Sequence, residues 1–196
     1  MYRIISGRWK AKRISAPKNF EVRPTTDFAK EALFTMIKNR YDIEFCSVLD
    51  LFAGIGSITM EFASRGCNDV TAVDMNAKHT AFIYNTAAEL DMSIQINVQR
   101  ADVYDWLKKN RGRKTYEIIF ADAPFSETDE KKYNEMIALV LNNGYLKENG
   151  TFILEHQSKL KLSHPNLYAT RKYGNLSFSF FSANKDETAE NAGKSE

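Results

Sequence analysis

The sequence predicts an open, mostly parallel α/β sheet of seven strands, and three observations lead there. Short apolar runs alternate with segments of helical periodicity along most of the 196 residues. Two further runs, 167–173 and 176–181, follow back to back across Gly174-Asn175, as the strands of a hairpin do. The first run of the series passes through Asp50 into a glycine-bearing turn and a helix start, the opening unit of a doubly wound sheet. Alternating strands and helices closed by a hairpin predict a sheet with an antiparallel edge.

In chain order, residues 1–22 read as a separate basic arm. Residues 2–16 interleave Ile4, Ile5 and Ile14 with Arg3, Arg8, Lys10, Lys12 and Arg13, a pattern that fits a small β-hairpin. Residues 1–23 hold seven cations against one anion, Glu21, so the rest of a chain of net charge +2 is acidic. A solvated edge strand guarded by lysines explains such a cluster. So does a phosphate-binding arm, with Trp9 interleaved among the cations.

The main domain is expected over 23–182. Arg23 precedes Pro24 and is thereby biased to an extended backbone, and Thr26 or Asp27 can cap the helix that follows. Phe28, Ala32, Leu33, Met36 and Ile37 recur at helical spacing and are its expected core face. Val48-Leu49 leads through Asp50, Leu51, Phe52, Ala53, Gly54, Ile55 and Gly56 to a helix ending near Gly66. Val70–Asp74 is the second strand, followed by a helix from Asn76 to about Asp91 with Ala81, Tyr84, Ala88 and Leu90 inward. Ile94–Val98 is the third strand, and Ala101-Asp102-Val103 follows it. Asp102 caps the next helix or receives an adenine amine, or does both. The fourth strand, Tyr116–Ala121, ends in Asp122-Ala123-Pro124-Phe125; a helix from about Asp129 to Asn142 and a fifth strand, Thr151–Glu155, precede the hairpin. Residues 183–196 are polar and acidic and read as a disordered tail.

No apolar run approaches the ~18 residues that cross a bilayer, and the N-terminus carries no apolar leader stretch, so a cytoplasmic protein is expected. Cys46 and Cys67 lack metal-ligand spacing and are expected as buried thiols. His79, His156 and His164 are scattered, and no metal site is expected.

Asp50, Asp74, Asp102 and Asp122 close four successive strands. In an open parallel sheet such ends border one crevice. Any one of them serves equally as a helix cap; four together suit a ligand with ribose hydroxyls, an adenine amine and a positive charge, without phosphates. A nicotinamide dinucleotide is disfavoured, because Asp50 stands in the turn and Thr59 replaces the third glycine of that fingerprint.

On these residues the chain resembles the class I S-adenosylmethionine-dependent methyltransferases, whose fold is Rossmann-like. Asp50-Leu51-Phe52-Ala53-Gly54-Ile55-Gly56-Ser57 looks like their first motif, Asp74 like their ribose acid and Ala101-Asp102-Val103 like their adenine contact. The resemblance implies S-adenosyl-L-methionine as cofactor, with contacts at Asp50, Phe52, Ala53, Gly54, Gly56, Asp74, Met75, Ala101, Asp102 and Val103, and Thr25 at the entrance. Asp122-Ala123-Pro124-Phe125 is similar to the motif with which such enzymes methylate exocyclic amines of bases, which implies a catalytic role for these four residues. Phe125 would stack on the base or, alternatively, serve the core. Arg3-Ile4-Ile5-Ser6-Gly7-Arg8-Trp9-Lys10 followed by Arg23-Pro24-Thr25-Thr26-Asp27 resembles the RsmD family in particular. That likeness covers residues 2 to about 181 and implies a monomeric enzyme making N2-methylguanine in 16S rRNA of the small ribosomal subunit, without membrane or metal. Arg3, Arg8, Lys10, Lys12, Arg13 and Arg23 would hold the RNA. Ala123 departs from the family's first proline, while Pro124 still holds Ala123 extended. Two alternatives stand beside this reading: a non-catalytic RNA-binding or ribosome-assembly factor that keeps the fold, and a DNA adenine-N6 methyltransferase, which would normally add a target-recognition domain.

Overall fold

The computed structural model describes residues 1–17, 20, 25–124, 126 and 129–184. The expectations for Lys18, Arg23, Pro24 and Phe125, and for residues 185–196 of the tail, lie outside them. The chain has a seven-stranded sheet and a separate two-stranded ribbon. It divides into two units, Met1–Val103 and Tyr104–Glu196.

In the first unit the expected hairpin is present: β1 (Tyr2–Arg3) pairs antiparallel with β2 (Arg13–Ile14). Tyr2, Ile4 and Ile14 are buried while the cations between them are exposed. The tip is fixed by Gly7, whose φ of +83° suits a residue without a Cβ, and a Cβ there would lie 1.8 Å from the Ser64 carbonyl oxygen. Helix α1 (Asp27–Arg40) is capped as expected, the Thr26 hydroxyl accepting the Ala29 N–H at 3.3 Å. Its buried face is Ala29, Lys30, Leu33, Phe34 and Ile37, so Leu33 and Ile37 are buried as expected while the rest of the face is shifted. Phe28 is 72% exposed, and Ala32 and Met36 are half-buried. The helix is turned because Lys30 points inward to a buried carboxylate, an orientation that hydropathy patterning never assigns to lysine.

Strand β3 (Ser47–Leu51), helix α2 (Ser57–Ser64), β4 (Asp69–Asp74), α3 (Ala77–Glu89) and β5 (Ile96–Arg100) then give three parallel strands in the order β5-β4-β3. Helix α2 is buried on every side. Asn76 caps α3, its side chain accepting the Lys78 N–H at 2.9 Å. The inward face of α3 is Thr80, Ile83, Thr86 and Ala87, so Ala81, Tyr84 and Ala88 are exposed and only Leu90, just past the helix, is buried as expected. Two threonines disguise the true stripe as polar. Ile94 is fully exposed because β5 begins two residues later than its alternation suggests. Cys46 and Cys67 are both buried, the Cys67 thiol donating to the Cys46 carbonyl at 3.2 Å.

The second unit begins in α4 (Val103–Lys109) and continues with β6 (Tyr116–Asp122), α5 (Glu130–Asn142), β7 (Leu146–Gln157), β8 (Leu167–Tyr173) and β9 (Leu176–Ser182). Its strands lie in the order β6-β7-β9-β8; β6 and β7 are parallel, whereas β7–β9 and β9–β8 are antiparallel, the edge hairpin the sequence predicts. Strand β7 is longer than the expected Thr151–Glu155. A register shift between Tyr116 and Ile118 lets Leu146 join the ladder, and Gly150 admits the Tyr116 carbonyl, which a Cβ would meet at 2.9 Å. Phe120, Phe152, Phe178 and Phe181 fill the core, with Phe152 and Phe181 stacked at 5.6 Å. Among the described residues no helix is long and apolar enough to cross a membrane.

Candidate active site

The first unit builds the loop between β3 and α2. Asp50, at 1% exposure, accepts the Thr59 hydroxyl at 2.5 Å. Thr59, where the dinucleotide fingerprint has glycine, thereby ties Asp50 to α2. Gly54 and Gly56 hold φ of +55° and +76°, and Phe52 holds +58°, a left-handed backbone that a bulky residue adopts only under constraint. A Cβ on Gly56 would lie 2.8 Å from Ile83 of α3, so the glycine lets loop and helix approach. Asp74, at the end of β4, accepts the Gly54 N–H at 2.9 Å and the Asn76 N–H at 2.8 Å, and His79 Nδ1 lies 3.3 Å away. A carboxylate has about four acceptor positions, so Asp74 keeps capacity for ribose hydroxyls. Ala53 is tied to β4 through the Val73 carbonyl at 3.1 Å.

Beyond the loop, Met75 is 67% exposed directly after Asp74, Ala101 donates to the Asp74 carbonyl at 3.1 Å, and Asp102 is exposed one residue before α4. Val103 is buried and Thr25 is 8% exposed. Within this unit hydrogen bonds bring Gly54, Asp74 and Ala101 together, with Met75 exposed next to Asp74 and Asp50 buried in β3.

Sequence reasoning missed a buried ion network behind the loop. Lys30 and Glu61 side chains are both 0% exposed and 3.5 Å apart. Lys30 Nζ also donates to the Arg3 carbonyl at 2.6 Å and to Ser57 Oγ at 3.3 Å. Burial lowers the lysine's affinity for its proton, and the Glu61 charge opposes that. Glu61 in turn accepts the Ile5 and Ser6 N–H groups and the Arg65 guanidinium, each at 2.8–3.0 Å. The one signal available was Glu61 itself, a charge inside the apolar run Met60-Glu61-Phe62-Ala63.

The arm is fastened to the end of α2: Arg8 N–H donates to the Ser64 carbonyl at 2.7 Å and Trp9 N–H to Ser64 Oγ at 3.0 Å. Arg8, Lys10, Lys12 and Arg13 are exposed. Arg8 lies over the Trp9 ring at 5.3 Å and 3.5 Å from Asp91, and Arg3 is bound to Asp27 at 3.0 Å.

The second unit carries the end of β6. Asp122 and Ala123 open on a cavity of about 210 Å³ lined also by Tyr133, Glu155, His156, Gln157, Asn175 and Leu176. Asp122 is reached by water through this cavity yet ringed by protein, and that desolvation pushes its carboxyl up to about 6. Tyr133 is pushed up to about 12 by burial and by the charges of Asp122, Asp129 and Glu155, so its hydroxyl stays protonated. Ala123 is buried and Pro124 exposed. His156 is spoken for: Nδ1 lies 2.9 Å from the Gln157 carbonyl and Nε2 2.8 Å from Ser179 Oγ, and burial lowers its pKa. Among the described residues no group of histidines, cysteines and carboxylates is arranged to hold a metal ion.

Comparison with known proteins adds the following. Residues 2–182 match the family model described as conserved hypothetical protein 95. The chain is 34% identical over 171 residues to ribosomal RNA small subunit methyltransferase D of Buchnera aphidicola subsp. Baizongia pistaciae, covering 86% of this chain and 84% of that protein. A solved putative methyltransferase, yhhF from Escherichia coli, superposes with a TM-score of 0.79 at 26% identity, over 92% of this chain and 96% of that one. The fold extends to an RNA methyltransferase from Salinibacter ruber solved with S-adenosyl-L-homocysteine, at a TM-score of 0.59 and 8% identity over 82% and 94% of the two chains.

Proposed function

We propose a specific reaction for this chain, which belongs to the RsmD family (conserved hypothetical protein 95) and has the fold of the class I methyltransferases: transfer of a methyl group from S-adenosyl-L-methionine to the exocyclic N2 of a guanine in 16S rRNA. The observation that carries this reading is the end of β6, where Asp122 stands over a cavity with its carboxyl poised near neutrality.

The cofactor supplies a sulfonium methyl that is already strongly electrophilic, so the protein has mainly to align an in-line attack. The β3–α2 loop fits it. Gly54 and Gly56 leave the backbone open to close approach, and Asp74 offers a buried carboxylate for ribose hydroxyls. Gly54, Ala53 and Phe52 would line the amino-acid end, with Asp50 fixing the loop from below. Met75, Ala101, Asp102 and Val103 would enclose the adenine.

Guanine N2 is a poor nucleophile because its lone pair is delocalised into the ring. The Asp122 carboxylate and the Ala123 carbonyl accept its N–H groups, which localises the lone pair and favours the positive charge that develops. N2 takes the methyl and gives up one proton, which the Asp122 carboxylate accepts. Pro124 holds Ala123 extended, and Phe125 stacks on the base. The base must be unpaired or flipped to reach the cavity. Arg8, Lys10, Lys12, Arg13 and Arg23 hold the rRNA phosphates; Arg3, bound to Asp27, contributes less.

The test is methyl transfer from labelled S-adenosyl-L-methionine to small subunits lacking the modification, to naked rRNA and to duplex DNA. Label in N2-methylguanine of the rRNA is expected. Label in N6-methyladenine of the duplex would replace the reading with the DNA enzyme, and cofactor binding without transfer would replace it with the binding factor.

A further inference from the structure

The carboxylate at the end of β4 is held on one oxygen by a side chain that the transfer chemistry does not use. Among the described residues, Asp74 has three hydrogen-bond contacts. Oδ2 accepts the Gly54 N–H at 2.9 Å, whereas Oδ1 accepts the Asn76 N–H at 2.8 Å and lies 3.3 Å from His79 Nδ1. A carboxylate oxygen takes about two hydrogen bonds, so Oδ1 is filled and Oδ2, the oxygen on the side of the glycine loop, keeps a place open.

The start of α3 puts His79 there. Asn76 is the cap and Ala77 the first helical residue, so His79 is third, the position from which a side chain reaches back over a helix start. In a capping box that side chain takes the N–H of the cap residue. Here Asp74 Oδ1 already takes the Asn76 N–H, and His79 meets the same oxygen instead. A carboxylate oxygen only accepts, so Nδ1 carries the proton of this contact. The His79 and Asp74 side chains are 17% and 11% exposed, which leaves water little room to compete. Phe20 packs on the imidazole, ring centres 5.4 Å apart, and restrains it beside Asp74.

We propose that His79 is a positioning residue for the cofactor: by donating Nδ1–H to Oδ1 it occupies that oxygen, holds the Asp74 carboxylate in one orientation and leaves Oδ2 to meet the ribose of S-adenosyl-L-methionine. This rests on the cofactor reading above, in which Asp74 faces the ribose, and adds to it the group that orients the carboxylate. Orienting a polar group before the ligand arrives removes an ordering cost from binding. His79 touches neither the methyl group nor the base, so its effect belongs to cofactor affinity.

The test is calorimetric affinity for S-adenosyl-L-homocysteine and for an analogue whose ribose lacks both hydroxyls. Wild-type protein should bind the natural ligand at least about tenfold more tightly, the scale of one hydrogen bond to a charged group. His79→Leu should lose most of that preference, weakening the natural ligand several-fold while the analogue changes by less than about twofold. His79→Asn, whose Nδ2 can stand where Nδ1 stands, should restore the preference. Nitrogen NMR of the wild-type imidazoles, which needs no variant, should find the His79 proton on Nδ1. Equal losses on both ligands in His79→Leu, a preference that survives it unchanged, or a proton on Nε2 alone would overturn the role of His79 and leave Asp74 as the ribose acid. Wild-type protein that binds both ligands equally, or Asp74→Ala that binds the natural ligand as wild type does, would overturn the ribose reading of Asp74 itself.

Discussion

At the scale of single residues, the proposed mechanism sets function against stability at Asp122. Its carboxyl titrates at 3.8 when unperturbed and is pushed to about 6 in the fold. Between those values the native state holds a proton that the unfolded chain has released, so stability falls as pH rises through this window and is flat above it. Asp122→Asn should therefore melt above wild type at pH 8, with the difference gone by pH 4, in paired thermal scans. In the proposed mechanism activity runs the other way, since only the ionised form accepts N2–H. The acidic limb of kcat/KM should fall near pH 6, and Asp122→Ala should abolish transfer while calorimetric affinity for S-adenosyl-L-methionine stays within about twofold. Unchanged turnover in that variant would remove Asp122 from the mechanism. The motif Asp122-Ala123-Pro124 was readable without a structure, whereas the nearness of Glu155 was not. It stands 33 positions on, and only strand pairing sets it beside Asp122.

At the scale of elements, the Lys30–Glu61 network locks α1, α2 and the arm together. Breaking one side of a buried pair leaves an uncompensated charge and costs about 3–5 kcal/mol. Lys30→Met should lower the melting temperature accordingly, and the double variant with Glu61→Leu should recover much of the loss. Additive losses in that double-mutant cycle would show that the pair is not coupled. Gly7→Ala attacks the same junction from the arm side, because its Cβ would collide with the Ser64 carbonyl. It should weaken binding to rRNA and leave cofactor affinity unchanged. Helix positions and caps were legible because Thr26 and Asn76 sit where capping chemistry demands. The inward face of α1 was legible only at Leu33 and Ile37, and that of α3 was not. A lysine and two threonines carry them, and their partners lie on other elements.

At the scale of the whole molecule, the arm is strongly basic and the remainder acidic, a distribution that under the proposed function suits a polyanionic partner. Such binding weakens with salt, by a slope of about −0.7 per phosphate neutralised on single strands. Replacing Lys10 and Lys12 by glutamate should weaken rRNA binding across sequences and flatten the salt slope by about 1–2, as read by filter binding over a salt series. An unchanged slope would assign the arm to solubility instead. Ligand choice is testable at this scale too, since a ligand at 100 times its Kd stabilises by about 2.7 kcal/mol. S-adenosyl-L-methionine should raise the melting temperature and NAD should not.

The sequence by itself determined the class of the fold and the order of its strands and helices. Those features follow from local periodicity, turn residues and caps, which act over a few positions. It also determined the glycine turn after β3, because glycine at left-handed φ is a local requirement. Tertiary structure alone decided which groups meet the buried charges: Lys30 meets Glu61, and the Thr59 hydroxyl meets Asp50. A charge is tolerated inside only when a partner from another element meets it there, and that meeting is written in no single stretch of chain.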